Sequence, residues 1–268
     1  MPFVVLLSAG VILGGCTGNK KGNPFFSEFK TPFQVPPFEQ IQPADYMPAF
    51  QEGIKQHNKE IGDIINNTEA PSFDNTIVAL DRSGELLRTV ATVFGNINEA
   101  NTNDELQKIE QEAMPILTRH GDEIYMNDKL FARVKAIYDK KDQLGLNPEQ
   151  AKLLDNTYKD FVRAGANLSA SDKDKLRKIN EELSMLTLKF GNNLLAENKS
   201  YQLVIDNPAD LAGMPQSAID AAAAAAKEKK LDGKWVFTLD VPSITPFLQY
   251  DQNRKLREAI KTAYANRA

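Results

Sequence analysis

SASDKDKLRKINEELSMLTLKFGNNL (Ser169–Leu194) is the stretch whose reading decides the fold. Leu176, Ile179, Leu183, Leu186, Phe190 and Leu194 recur at three and four residues. That period is one face of an α-helix, the longest the chain predicts. Ser169 or Ser171 can open it, since a hydroxyl accepts from the free N–H groups of a first turn. Asp172 to Lys178 is a run of mixed charge and reads as a solvated first turn, not as a site.

Toward the N-terminus the same period continues. Gly165 ends a helix whose start is marked by Asn147, Pro148 and Gln150. These supply an N-cap, a pre-set φ and a capping-box partner. Its apolar face is Leu153, Leu154, Tyr158, Phe161 and Val162. Asn127 or Asp128 can cap the helix of Leu130, Val134, Ile137 and Tyr138. A further stripe runs Leu106, Ile109, Ala113, Ile116, His120 and Ile124, with Pro115 expected to kink or break it. Ser72, after Pro71, caps a helix carrying Ile77, Leu80, Gly84, Leu87, Ala91 and Phe94. The small Gly84 and Ala91 should let another helix approach closely.

Asn23 to Pro48 holds six of the 14 prolines and five phenylalanines, Phe25, Phe26, Phe29, Phe33 and Phe38. Proline excludes helix and central strand here, and disordered linkers are short of aromatics. The expectation is an extended arm that lies on the domain and inserts its rings. The alternative is a peptide-recognition segment. Toward the C-terminus, Tyr201 to Ile205 and Trp235 to Leu239 read as two strands. An alanine-rich helix, Pro215 to Lys230, lies between them. Val241-Pro242 ends the second strand, and a last helix from near Asp251 carries Leu256, Ile260 and Tyr264. No stop signal follows it, so the chain reads as cut within a helix. No repeat period is present.

Apolar residues make up 42% and charged residues 25%, with a net charge of -4. Those are globular values, and no basic patch suited to nucleic acid is present. Phe3 to Leu13 is nearly all apolar and too short to span a bilayer, which takes about 20 residues. Leu13-Gly14-Gly15-Cys16 follows, and Cys16 is the only cysteine. The run reads as a lipoprotein signal peptide (1–16) with Cys16 as the lipidation site, although no Lys or Arg precedes it. A buried N-terminal strand is the alternative. One chain of lipid anchors weakly, so multiple acylation of Cys16 is implied. Residues 17–48 are then tether and arm, and 49–268 a helical domain.

The residues of catalysis are sparse. His57 and His120 are the only histidines, and neither sits in His-Glu-x-x-His, the spacing that turns two zinc ligands to one face. His120 reads as a core histidine and His57 as solvent-facing. No nucleophile elbow, phosphate loop or dinucleotide fingerprint occurs. Glu181-Glu182 are adjacent on a helix and do not face each other. No catalytic or metal-binding residue is assigned.

A set of ordered motifs does carry a resemblance. They include Asn23-Pro24-Phe25-Phe26, Asp45-Tyr46-Met47-Pro48-Ala49-Phe50 and Ala70-Pro71-Ser72-Phe73-Asp74-Asn75-Thr76-Ile77. Phe161-Val162-Arg163-Ala164-Gly165-Ala166 and Leu211-Ala212-Gly213-Met214-Pro215 follow in order. From about Asn23 onward the chain resembles the N-terminal half of bacterial peptidyl-dipeptidases (dipeptidyl carboxypeptidases), zinc metallopeptidases related to oligopeptidase A and thimet oligopeptidase. The resemblance implies a two-lobed, mainly helical enzyme with a deep channel. One wall would be a multi-helix antiparallel bundle from this chain, with a small two-stranded sheet near its C-terminal end. It implies short peptides as substrates, release of C-terminal dipeptides, and zinc held by His-Glu-x-x-His and a later glutamate. That motif would lie beyond Ala268, in a C-terminal catalytic half. The expectations are therefore an inactive chain, exposed apolar surface, a tendency to associate, and an envelope location facing the periplasm. A non-catalytic helical lipoprotein that binds peptides or a protein is the competing expectation.

Overall fold

A computed structural model describes residues 22–267. The fold is mainly α, with one small antiparallel sheet. The described residues divide into two compact units. The first runs to Ala113 and includes Asn127–Arg163; the second comprises Met114–Met126 and the residues from Ala164 onward.

The first unit is built on helices α1 (Pro43–Ile65), α2 (Ala79–Arg82), α3 (Glu85–Asn101), α5 (Asp128–Tyr138) and α6 (Pro148–Arg163), with the first half of α4 (Asp104–Tyr125). Helix α1 starts within the segment expected to be a non-helical arm. Pro43 stands at its first positions and the Asp45 carboxylate accepts from the Gln42 N–H at 2.8 Å. Proline is tolerated at a helix start, and its abundance hid this helix. The arm itself is two short 3-10 turns, Pro24–Phe26 and Pro32–Gln34. Only part of it inserts. Phe25 is buried against Tyr46, with ring centroids 5.7 Å apart, and Tyr46 meets Phe94 at 5.0 Å. Phe33 is 99% exposed, in the left-handed region at φ 58°.

The stripe from Ile77 to Phe94 is not one helix. A wide π-type turn (Phe73–Val78) capped by Ser72 leads into α2, and the chain breaks at Ser83–Gly84 before α3. Gly84 has φ +70°, a conformation that costs other residues about 1 kcal/mol or more, so its role is to re-aim the chain. Helix α1 does lie close here, since a Cβ on Gly84 would stand 2.8 Å from the His57 ring. The backbones of α1 and α3 approach closely at Gly53, where a Cβ would fall 2.9 Å from Leu87 Cα. Helix α4 continues through Pro115 without a break. One lost backbone hydrogen bond is offset by burial on both sides, at Ala113, His120 and Ile124. Asn127 and Asn147 act as read from the sequence. Asn127 Oδ1 accepts from Lys129 N and Leu130 N. Asn147 and Gln150 exchange backbone-to-side-chain bonds of 2.9 and 3.1 Å.

In the second unit, β1 (Leu203–Ile205) pairs antiparallel with β2 (Trp235–Phe237), Leu203 opposite Phe237 and Ile205 opposite Trp235. Helix α8 (Gln216–Glu228) packs on β2. The second strand stops at Phe237, short of the expected Leu239, and Val241-Pro242, expected to end it, instead begins a helix, α9 (Val241–Tyr250). Helix α10 (Arg254–Ala265) is capped by Asn253. Ile205, Leu211, Phe237, Phe247 and Ile260 form the core of this part. Gly213, at φ +89°, seals the turn beneath it; a Cβ there would lie 2.4 Å from the Tyr250 carbonyl oxygen. The remaining helix of this unit, α7 (Ala170–Ser200), is the longest and is capped by Ser169 as read from the sequence.

Candidate interaction surface

Helix α7 carries the surface that stands out. Its packed line is Lys173, Leu176, Asn180, Ser184 and Leu188, spaced three or four residues apart and buried or partly buried. Lys173 Nζ is buried and donates to the Met126 carbonyl at 3.0 Å, the end of α4. The charged run is thus not wholly solvated: a lysine here serves the exposed carbonyls of a helix C-terminus. Asp172 and Asp174 do face water and pair with Lys175 at 2.9 Å and Arg177 at 2.7 Å. Asn180 Nδ2 donates to Asp122 Oδ1 at 2.8 Å. Burial raises the Asp122 carboxyl above its ordinary 3.8, while Asn180 and Arg177 hold it down.

The apolar stripe lies one position back from this packed line, about 100° around a helix of 3.6 residues per turn. It is open to solvent: Ile179 is 56% exposed, Leu183 58%, Leu186 54% and Phe190 58%. Met185 beside them is exposed as well. A row of four large apolar side chains on one helix is a patch, not scattered exposure, and such patches mark interaction surfaces. Covering the exposed half of each would contribute on the order of 1 kcal/mol per residue. The periodicity that announced this helix was therefore right, but it does not report which element covers the stripe. Among the described residues none does.

The residues with possible chemistry are apart from this face. His57, expected to be solvent-facing, is partly buried, with Nε2 3.0 Å from Ser83 Oγ. It supports the bend at Gly84. His120 is buried as expected, and that burial lowers its pKa from the ordinary 6.5, against a smaller pull from Glu123. No group of three or more His, Cys, Asp or Glu side chains converges among the described residues. A cleft of about 510 Å³ between α4 and α7 is lined by Pro115, Arg119, Asp122, Asp174, Arg177 and Glu181. Its charges are largely matched within the chain, with Arg119 3.7 Å from Glu181. Cys16 lies outside the described residues. No described helix is long and apolar enough to cross a membrane.

At the far end of α7, Arg267 joins α10 to it. The guanidinium donates from Nη1 to Asn198 Oδ1 at 3.0 Å and from Nε to the Tyr264 carbonyl at 2.9 Å, and lies 3.4 Å above the Tyr264 ring. The last described residues thus sit beside the last turn of the helix that carries the open stripe.

No family model matches the chain. Individual proteins do. Over 246 residues it is 42% identical to dipeptidyl carboxypeptidase of Escherichia coli, covering 92% of this chain and 36% of that protein. It is 30% identical over 234 residues to oligopeptidase A of Haemophilus influenzae, covering 87% of this chain and 34% of the relative. Oligopeptidase A of Escherichia coli matches at 28% over 238 residues, with 89% and 35% covered. The chain spans about a third of the length of these relatives. Over that span it belongs to the thimet oligopeptidase family, with dipeptidyl carboxypeptidase and oligopeptidase A.

Proposed function

We propose that this chain is the N-terminal helical portion of a zinc metallopeptidase that releases dipeptides from the C-terminus of short peptides. The identity of 42% with dipeptidyl carboxypeptidase over 92% of the chain carries the reading. This portion contributes wall to a substrate channel. The described residues bring no three metal-ligating side chains together, so they do not fit a zinc site, and no step of hydrolysis is assigned to them. Zinc, its ligands and the general base belong on this reading to the two-thirds of the family length that the chain does not span. The chain by itself is then inactive. Cys16 is the lipid attachment point, placing the protein on the periplasmic face of the cell envelope. Labelling of wild type but not Cys16→Ser by a fatty-acid probe is the expected result for that anchor.

The reading frame beyond codon 268 tests the assignment. An in-frame His-Glu-x-x-His with a later glutamate is expected. A stop codon would favour a second reading, a non-catalytic helical envelope lipoprotein that binds peptides or a protein, for which the open face of α7 would be the contact.

A further inference from the structure

We infer that the joint between the 3-10 turn Pro208–Leu211 and the connection from α9 to α10 is a binding site for a hard divalent cation, with Asp251 and Asp210 as its carboxylate ligands. The site goes beyond the proposed function and does not depend on it. The deciding group is Asp251. It is 2% exposed, and its Oδ2 has no hydrogen-bond partner. A buried carboxylate oxygen left bare is costly, and buried charges in proteins are paired or coordinate metals. Asp251 Oδ1 accepts from the Asn253 N–H at 2.7 Å, and the Asn253 side-chain amide donates to Asp210 Oδ1 at 2.9 Å. One asparagine thus gathers two carboxylates from two segments of the chain. Burial raises the Asp251 carboxyl above its ordinary 3.8, the Asn253 N–H and Arg257 oppose the rise, and the charge of Asp210 adds to it. The second carboxylate is therefore within electrostatic reach of the first. Arg257 does not neutralise them. Its Nη1 donates to the main-chain carbonyl of Asp251, and among the described residues neither carboxylate has a Lys or Arg ion-pair partner.

A third oxygen lies at the same joint. Gly213, at φ +89°, turns the chain against the end of α9, where a Cβ would stand 2.4 Å from the Tyr250 carbonyl oxygen. The glycine leaves that oxygen uncovered beside Asp251, and no backbone N–H among the described residues donates to it. The Gln252 N–H donates to the Ala212 carbonyl at 2.9 Å and ties the two segments together. The donors are oxygens alone, which selects a hard cation such as Ca²⁺ or Mg²⁺ over zinc or copper. Ca²⁺ suits the joint better. It accepts irregular shells of about six to eight oxygens, with water completing them, whereas Mg²⁺ demands a near-ideal octahedron. Bound there, it would pin the Pro208–Leu211 turn to the start of α10.

Calcium titration of the 268-residue chain, stripped with a chelator that is then removed, tests the site. Calorimetry is expected to show one saturable site per chain with Kd roughly 10⁻⁴ to 10⁻³ M, the range of extracellular calcium modules. The thermal midpoint is expected to rise by about 3 to 10 °C in about 10 mM calcium chloride. Asp251→Asn and Asp210→Asn keep the side-chain shape and an acceptor oxygen. Each is expected to weaken calcium binding by about tenfold or more and to remove the midpoint shift. Asp232→Asn, at an exposed turn of the same unit, should keep both. Hydrogen exchange locates the effect: calcium should slow exchange of the Gln252 N–H, which bonds across the joint. Slowing confined to other regions would overturn the site. Should Asp251→Asn not fold, wild-type calorimetry, Asp210→Asn and the exchange pattern still decide. Absence of saturable binding by the wild type overturns the site. So does an equal midpoint shift in every variant, or in sodium chloride of matched ionic strength, which marks screening of surface charge. A larger shift with magnesium than with calcium overturns the choice of calcium and retains a hard divalent cation.

Discussion

Asn180 Nδ2 donates to Asp122 Oδ1 across 2.8 Å, tying the second half of α4 to the packed line of α7. The bond favours the ionised form of a carboxyl that burial pushes the other way. With a folded pKa above 3.8, the stability Asp122 lends is fully present below 3.8 and declines as pH rises through the folded value. Asn180→Ala removes a force opposing that rise. It is expected to cost about 1 kcal/mol at pH 7 and less at pH 4, measured by urea unfolding at both values.

His120 has the opposite pH behaviour. Burial holds it neutral, depressing its pKa from 6.5. Its contribution is complete above 6.5 and is lost as pH falls through the depressed folded value. Thermal unfolding of the wild type should drop in midpoint below pH 6.5, and His120→Gln should show a shallower drop over the same interval. Parallel curves would assign the acid sensitivity elsewhere.

Arg133 is buried with acceptors on every side. Its guanidinium donates to Thr76 Oγ1 at 3.3 Å, Asn75 Oδ1 at 3.2 Å and the carbonyl of Asn67 at 3.0 Å. It thereby fastens the turn before α2 onto α5. Arg133→Ala should destabilise the first unit by about 3 kcal/mol, because buried acceptors are left without donors. Arg133→Lys should recover only part of this, since a single ammonium cannot serve a planar fork's separated acceptors. Denaturant midpoints of the three proteins check the order.

Gly213→Ala tests the turn that packs against the end of α9. Its φ of +89° and a 2.4 Å encounter with the Tyr250 oxygen leave no room for a methyl group. A loss of about 3 kcal/mol is expected, seen as reduced hydrogen-exchange protection around Phe237 and Phe247. Gly145→Ala provides the contrast. It shares a positive φ, 61°, with nothing within 4 Å, so only backbone strain of about 1 kcal/mol applies.

What could be read before the fold was known follows from how local each signal is. Caps at Ser72, Asn127, Asn147 and Ser169 were legible because each bonds within three residues of itself. The break at Gly84 was not, because a glycine within an apolar helical stripe looks the same whether its φ is negative or +70°. Pro43 read as helix-excluding and Pro242 as a strand end, and both are in fact first-turn prolines; composition does not distinguish a proline that starts a helix from one that stops another element. The stripe on α7 was plain as a period, yet whether an apolar row meets the chain's own core depends on a rotation of one residue. That is set by Lys173 and Asn180, polar residues that take the packed side.

The most direct measurement is release of C-terminal dipeptides from a short peptide by two proteins: the 268-residue chain, and that chain continued into the C-terminal two-thirds of Escherichia coli dipeptidyl carboxypeptidase. The proposed function predicts no release by the first, and release by the second that a zinc chelator abolishes. Chelator-sensitive release by the 268-residue chain alone would contradict it, as would a folded fusion that hydrolyses nothing.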